Sequence, residues 1–215
     1  MMGYDCMVGN THTFTYYAVR SQPHMIANMN GGCFWLLFTI YIYGMAISRS
    51  KRCVPSANDI IAKSDIILLN FEVPEEANEA ACRIAHKYGI KTILNPAPAH
   101  KCRKEYLNQF YCITPNQNEA EIIDIETTRE VVTLGGDGAL LIENGKKTYL
   151  HAIQTVVKDT TGAGDCFNGA FAVAISEGKS LYEAVCFSQK AAALSVTQDF
   201  VMPSLPYREQ IDKMT

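Results

Sequence analysis

Charge is scarce in this sequence, and no arrangement lets its cysteines act together. Only 19% of the 215 residues are Asp, Glu, Lys or Arg, and the net charge is −3. No broad positive field therefore draws the chain to nucleic acid. The eight cysteines (6, 33, 53, 82, 102, 112, 166 and 186) contain no C-x-x-C pair, and the five histidines are scattered. That distribution speaks against a zinc site and for reduced, intracellular thiols, hence a cytoplasmic setting. Repeats and low-complexity tracts are absent, as is a basic start followed by a small-residue cleavage site. With 48% apolar residues, 14 glycines and 8 prolines, disorder, collagen and coiled coil are excluded. What remains is one domain, or one plus a fragment, large enough to bury roughly 70% of its unfolded surface.

The chain divides into an atypical segment, 1–52, and an α/β domain, 53–215. Residues 33–47 (CFWLLFTIYIYGMAI) carry no charge and run into Arg49, Lys51 and Arg52, a flank that a membrane anchor would show. At about 15 residues the run falls short of the roughly 20 that span a bilayer. Its aromatic and β-branched content equally suits a buried strand or helix, so a core segment is the expectation and a tether the alternative.

From Cys53 onward, strand and helix alternate. Asp65–Glu72 reads as a strand buried on both faces. Glu75–Tyr88 reads as a helix with Ala77, Ala80, Ala81, Ile84, Ala85 and Tyr88 on its inner face and Gly89 beyond its end. Ile90–Leu94 is the next strand, closed by the Asn95–Pro98 turn. Tyr111–Thr114 and Val131–Leu134 read as further parallel strands, and Asn144-Gly145 joins 139–142 to 148–152 as a hairpin. Helices follow over 165–177 and from a Ser180/Glu183 capping box to about Val196. The pattern predicts a three-layer α/β/α fold with a mainly parallel sheet. The link between Asn116 and Val131, about 14 residues, leaves room for only a very short crossover helix.

The densest chemical signal is Asp159–Ala170, DTTGAGDCFNGA. A small-residue turn opening a helix aims backbone amides outward at the positive end of the helix dipole, which is an anion site. Asp165 at that helix start is either a cap or a base that deprotonates a hydroxyl attacking a phosphoryl group. No lysine lies between Asp159 and Ala170, which excludes a Walker A loop, and Phe167 stands where a dinucleotide fingerprint needs glycine. In TPNQNEAE (114–121), Asn116 and Glu119 share a helix face, suiting Mg²⁺-bound water and phosphate oxygens or forming an ordinary helix start. Thr133-Leu134-Gly135-Gly136-Asp137-Gly138 lets backbone approach a ligand, or is a simple turn. Glu72 ends the first strand on the edge where such sheets bind ligands, or is a solvated strand end.

Together these segments resemble the ribokinase branch of the PfkB family of carbohydrate kinases. NPAPA (95–99), ITPNQNEAE (113–121), VTLGGDGAL (132–140), DTTGAGDCFNGAFAVAISEGKSLYEAV (159–185), AAALSVT (191–197) and PSLPYREQID (203–212) occur in the family's order, over roughly 59–212. The resemblance implies transfer of the ATP γ-phosphoryl group to the 5-hydroxyl of D-ribose. It implies Asp165 as base and Gly162, Ala163 and Gly164 as the anion hole. Asn116 and Glu119 would lie by phosphates and Mg²⁺, and Thr133, Gly135, Gly138 and Gln189 by the nucleotide. Asp159 and Thr161 would hold a monovalent cation such as K⁺, and Glu72 would face the sugar. Family members are homodimers through a small β-lid, which is not recognisable here. The sugar-binding Asp position reads Phe14, Gly31-Gly32 lacks its Lys and Asn, Phe200 replaces a tail glycine, and Gln189 replaces an Asn or His. The nucleotide half is complete by motif and the sugar half mostly absent. Three readings stay open: a ribose kinase, a non-catalytic protein binding nucleotide or a partner, and a membrane-tethered kinase.

Overall fold

The computed structural model describes residues 15–19, 38–41, 58, 61–124 and 126–214, the first two stretches as strands. The expected boundary near residue 52, the sugar-side positions Phe14 and Gly31-Gly32, and most of 33–47 lie outside them. Within 33–47 the described part is a strand, and no helix among the described residues is long and apolar enough to cross a membrane.

Eight strands form one sheet: β1 (Thr15–Val19), β2 (Phe38–Tyr41), β3 (Ile66–Asn70), β4 (Lys91–Asn95), β5 (Cys112–Ile113), β6 (Arg129–Thr133), β7 (Gly138–Glu143) and β8 (Lys146–His151), in the order β2-β1-β3-β4-β5-β6-β7-β8. The pairings β3-β4, β4-β5 and β5-β6 are parallel. Those of β1 with β2 and β3, of β6 with β7 and of β7 with β8 are antiparallel. The parallel pairing expected of most of the sheet thus belongs to its centre. The β6–β8 flank is antiparallel because its strands are joined by tight turns, which reverse the chain, whereas parallel neighbours need a crossover.

Side chains alternate across the central strands and separate two cores. Ile66, Leu68, Ile93, Cys112, Val131 and Leu141 pack with α4 (Ala163–Ser176), α5 (Leu181–Ser195) and Ile211 of α7 (Arg208–Lys213). Ile67, Leu69, Leu94 and Ile113 pack on the other face against α1 (Glu75–Lys87), α2 (Lys104–Leu107) and Ile123 of α3 (Gln117–Ile123). The result is three layers. A final short turn of helix, α6 (Val201–Ser204), sits between α5 and α7.

Local chemistry sets the element ends. In α1 the acidic residues Glu75 and Glu76 open the helix and His86 and Lys87 close it, complementing the dipole. Gly89 N–H donates to the His86 carbonyl and Ile90 N–H to Ala85, the paired bonds of a Schellman end. The inner face of α1 differs from expectation at three places. Asn78 and Cys82 are buried while Tyr88 is exposed, because Asn78 reaches across to the Asn70 carbonyl and the Tyr106 hydroxyl. The crossover after β5 holds a helix of 7 residues, the short element its length allows.

At α5 the Ser180 hydroxyl accepts from Glu183 N–H at 3.3 Å, and the Glu183 carboxylate accepts from Ser180 N–H at 2.9 Å. Losing such a cap costs about 1 kcal/mol. Ser180→Ala is therefore expected to lower the thermal midpoint by about 2–4 °C, measured by circular dichroism.

Candidate active site

Because β3 to β6 run parallel, their carboxyl ends share one edge, where ligands bind in open α/β sheets. Glu72, the 95–99 loop, the 114–121 segment and the glycine turn after β6 all leave from that edge. Phe71 N–H donates to the Ala97 carbonyl at 3.0 Å, tying the first two together. Asn116 bridges Thr133, and Thr133 N–H donates to the Pro115 carbonyl at 2.9 Å, bringing the third beside the fourth.

A cavity of about 360 Å³ opens between the glycine turn and the start of α4, within the size range of small-molecule sites. Of the positions singled out in the sequence, Thr133, Gly135, Gly138, Ala163, Gly164 and Gln189 line it, whereas Asn116, Glu119, Glu72, Asp159, Thr161, Gly162 and Asp165 do not. Two walls hold no residue singled out for the site in the sequence. One is the irregular run Ala152–Thr155 with Val157; the other is formed by Ala192 and Ala193 of α5 and its C-cap Val196. The run has no periodicity to read, and the α5 alanines are indistinguishable by pattern from core packing, a role they also fill. Tyr149 was missed as well: its hydroxyl donates to the Asp137 carbonyl at 2.6 Å and fixes the glycine turn.

The cradle is built where α4 begins. Gly162, its N-cap, has φ +76, and a Cβ there would meet Val201 Cγ1 at 2.6 Å, so only glycine fits. Ala163 N–H donates to the Thr160 carbonyl at 3.1 Å. The amides of Gly162, Gly164 and Asp165 donate to nothing among the described residues. A Cβ on Gly164 would meet open space, which leaves room for an anion against the helix start.

The two acidic residues of this segment live differently. The N-cap of α4 is Gly162, and Asp165 stands in its first turn. Its carboxylate stays solvent-accessible, one residue along the helix from the cavity wall, and partial desolvation raises its pKa. Asp159 accepts from Thr161 N–H at 2.9 Å and from Phe200 N–H at 3.2 Å. Those bonds, the Thr161 ones foremost, lower its pKa and keep it ionised. Each oxygen retains a lone pair, so the donors present fit a weakly held monovalent cation.

Asn116 and Glu119 form a capping box: the Asn116 side chain accepts from Glu119 N–H at 2.9 Å, and the Glu119 carboxylate from Asn116 N–H at 2.8 Å. Desolvation nonetheless raises the Glu119 pKa. No group of three or more His, Cys, Asp or Glu among the described residues could hold a metal ion. The residues would suit Mg²⁺ held chiefly by phosphates and water, to which the Glu119 oxygen outside the capping box would be offered.

Residues 38–208 match the family of pfkB carbohydrate kinases, and the chain belongs to that family. It is similar to the ribokinase of Haemophilus influenzae, 37% identical over 180 residues that cover 75% of this chain and 59% of that protein. The ribokinase of Bacillus subtilis is 34% identical over 169 residues, 74% of this chain and 58% of that protein. The solved structure of Arabidopsis thaliana ribokinase, complexed with ribose and ATP, superposes with a TM-score of 0.67 at 30% identity, covering 74% of this chain and 58% of that one. The chain thus spans about three-fifths of the length of these relatives.

Phe200 explains a departure noted in the sequence. Where glycine is usual, this residue sits at φ +66, ψ 151, with its side chain 74% exposed. That region is essentially glycine's own, and a side chain there carries about 1–3 kcal/mol of strain. Phe200→Gly should relieve it, net of roughly 0.5–1 kcal/mol of glycine entropy. The thermal midpoint is expected to rise by a few degrees, with nucleotide binding at least as tight in calorimetry.

Proposed function

We propose that this chain is an ATP-dependent carbohydrate kinase that phosphorylates D-ribose at the 5-hydroxyl, giving ribose 5-phosphate and ADP. The observation that carries the reading is the pairing of an unengaged, partly desolvated Asp165 with backbone N–H groups that donate to nothing among the described residues at the start of α4, beside a cavity of nucleotide size.

In this reading ATP lies in the cavity with its base on α5 and its phosphates running to the cradle. Asp165 accepts the proton of the sugar hydroxyl as its oxygen bonds to the γ-phosphorus and the bond to ADP breaks. The Gly162, Gly164 and Asp165 amides face the charge that develops on the transferring group, and a fixed helix start needs no reorganisation to do so. Mg²⁺, when bound, would neutralise phosphate charge, with Asn116 and Glu119 ordering its water. Asp159 and Thr161 would hold a monovalent cation beside the loop. Glu72, two residues beyond the end of β3, would face the sugar.

The pH dependence follows from the raised pKa of Asp165. The base works only when ionised, so turnover falls on the acid side at a pH above the usual Asp range. The stability sign is the reverse. A raised folded-state pKa means that the fold disfavours the charged form, so any stabilisation is present at low pH and lost as pH rises through that value.

Asp165→Asn is therefore expected to melt no lower than wild type at pH 7. It should keep ATP affinity in calorimetry and release ADP about 10²–10⁴-fold more slowly with ATP, Mg²⁺, K⁺ and ribose. Equal ADP release by the two proteins would overturn the assignment of the base. ATP binding with no ribose-dependent heat or turnover would favour a non-catalytic nucleotide binder.

A further inference from the structure

Asn78 stands in α1, a helix that packs apolar side chains against the sheet, and it is 0% exposed. Its Nδ2 donates to the Asn70 carbonyl at 2.8 Å and to the Tyr106 hydroxyl at 3.1 Å. Both amide hydrogens are thereby used. A carbonyl only accepts, so the carboxamide cannot be turned end for end. Oδ1 is left enclosed with no hydrogen-bond partner.

An enclosed acceptor without a donor costs free energy, and native interiors hold few of them. A leucine of similar size would avoid that cost in this apolar layer, so packing alone does not call for an amide here. What the amide supplies and a leucine would not is a donor aimed at Asn70, the last residue of β3.

Asn70 in turn governs the chain beyond it. Its side chain accepts from Glu72 N–H at 3.2 Å, and the intervening Phe71 N–H donates to the Ala97 carbonyl at 3.0 Å. Residues 70, 71 and 72 are thus tied in succession to α1, to the 95–99 loop and to Asn70 itself. The Glu72 side chain is exposed and bonds to no described residue. Its carboxylate has no brace of its own, so its position is set by the backbone that carries it.

We propose that Asn78 is a positioning residue for the sugar acceptor: by holding Asn70 from beneath the sheet edge, it sets where Glu72 meets the sugar, and it acts on the reaction through Glu72 alone. This rests on the reading above in which Glu72 faces the sugar. It deepens that reading by assigning the support of the sugar side to a buried residue of α1 that itself touches no substrate.

The test is steady-state kinetics on the full chain with ATP, Mg²⁺ and K⁺, titrating ribose and ATP in turn. Asn78→Leu is expected to lower kcat/KM for ribose about tenfold, chiefly through KM, and to leave KM for ATP unchanged. In a Glu72→Gln background the same substitution should add almost nothing to the loss in kcat/KM for ribose, because residues that act through one another are not additive. An unchanged KM for ribose, an equal rise in KM for ATP, or a full additional loss in the Glu72→Gln background would each overturn the proposal while leaving a ribose kinase. Should Asn78→Leu not fold, Asn70→Ala decides: it keeps the carbonyl that Asn78 holds and removes the acceptor for Glu72 N–H, so KM for ribose should rise with KM for ATP unchanged, and an unchanged KM for ribose overturns the proposal. Wild-type protein that binds ATP in calorimetry but neither binds nor phosphorylates ribose overturns the sugar reading and this inference with it.

Discussion

The burial of α4 is the constraint from which the site follows. Its residues 166–175 are all buried, against the β3 face of the sheet on one side and α5 on the other, with the Phe167 and Phe171 rings stacked 6.3 Å apart. A helix enclosed in this way cannot slide or rotate without opening voids in an interior packed to crystal density. Its first turn is therefore held in place by apolar core contacts. The free amides and the positive dipole end are delivered to one point by core packing, and the polar chemistry only has to meet them there.

Two carboxylates six positions apart show how one short loop divides its labour. Asp159 receives backbone N–H groups from both sides and holds its charge; Asp165 receives none and is partly desolvated, so its charge is disfavoured. Environments that push two acids in opposite directions assign them different work. The first braces the loop. The second is left with an uncommitted lone pair. The brace is completed by Phe200, whose backbone is held in a glycine-like conformation so that its N–H can reach Asp159 and Val201 can cover Gly162.

Much of the fold was legible because local signals agreed with one another. The apolar run of β3, the Asn144-Gly145 turn, the Gly89 helix end and the Ser180/Glu183 box each rest on residues near in sequence, and each formed as read. Asn116 and Glu119 were found, but as mutual caps, since a side chain and backbone three residues apart satisfy each other before any ligand arrives. What local pattern could not give was the company that residues keep across the fold. Asn78 reads as a solvent residue until Tyr106 is placed beside it. The unperiodic 152–157 run becomes a cavity wall only when α5 packs near it. Gln189 is placed by the nucleotide through the resemblance, but its bond to the Leu150 carbonyl, 39 residues earlier, is legible only in the fold.

The bond from Phe200 to Asp159 spans 41 residues, and this bears on the order in which a ribosome-bound chain can mature. The β3–α1–β4 unit is contiguous and can dock as soon as it emerges, since its contacts are local. The loop before α4 stays unbraced until the segment beyond α5 has also been synthesised, because its second anchor and the cover for Gly162 both come from there. The loop is therefore braced only after the β3–α1–β4 scaffold has already set.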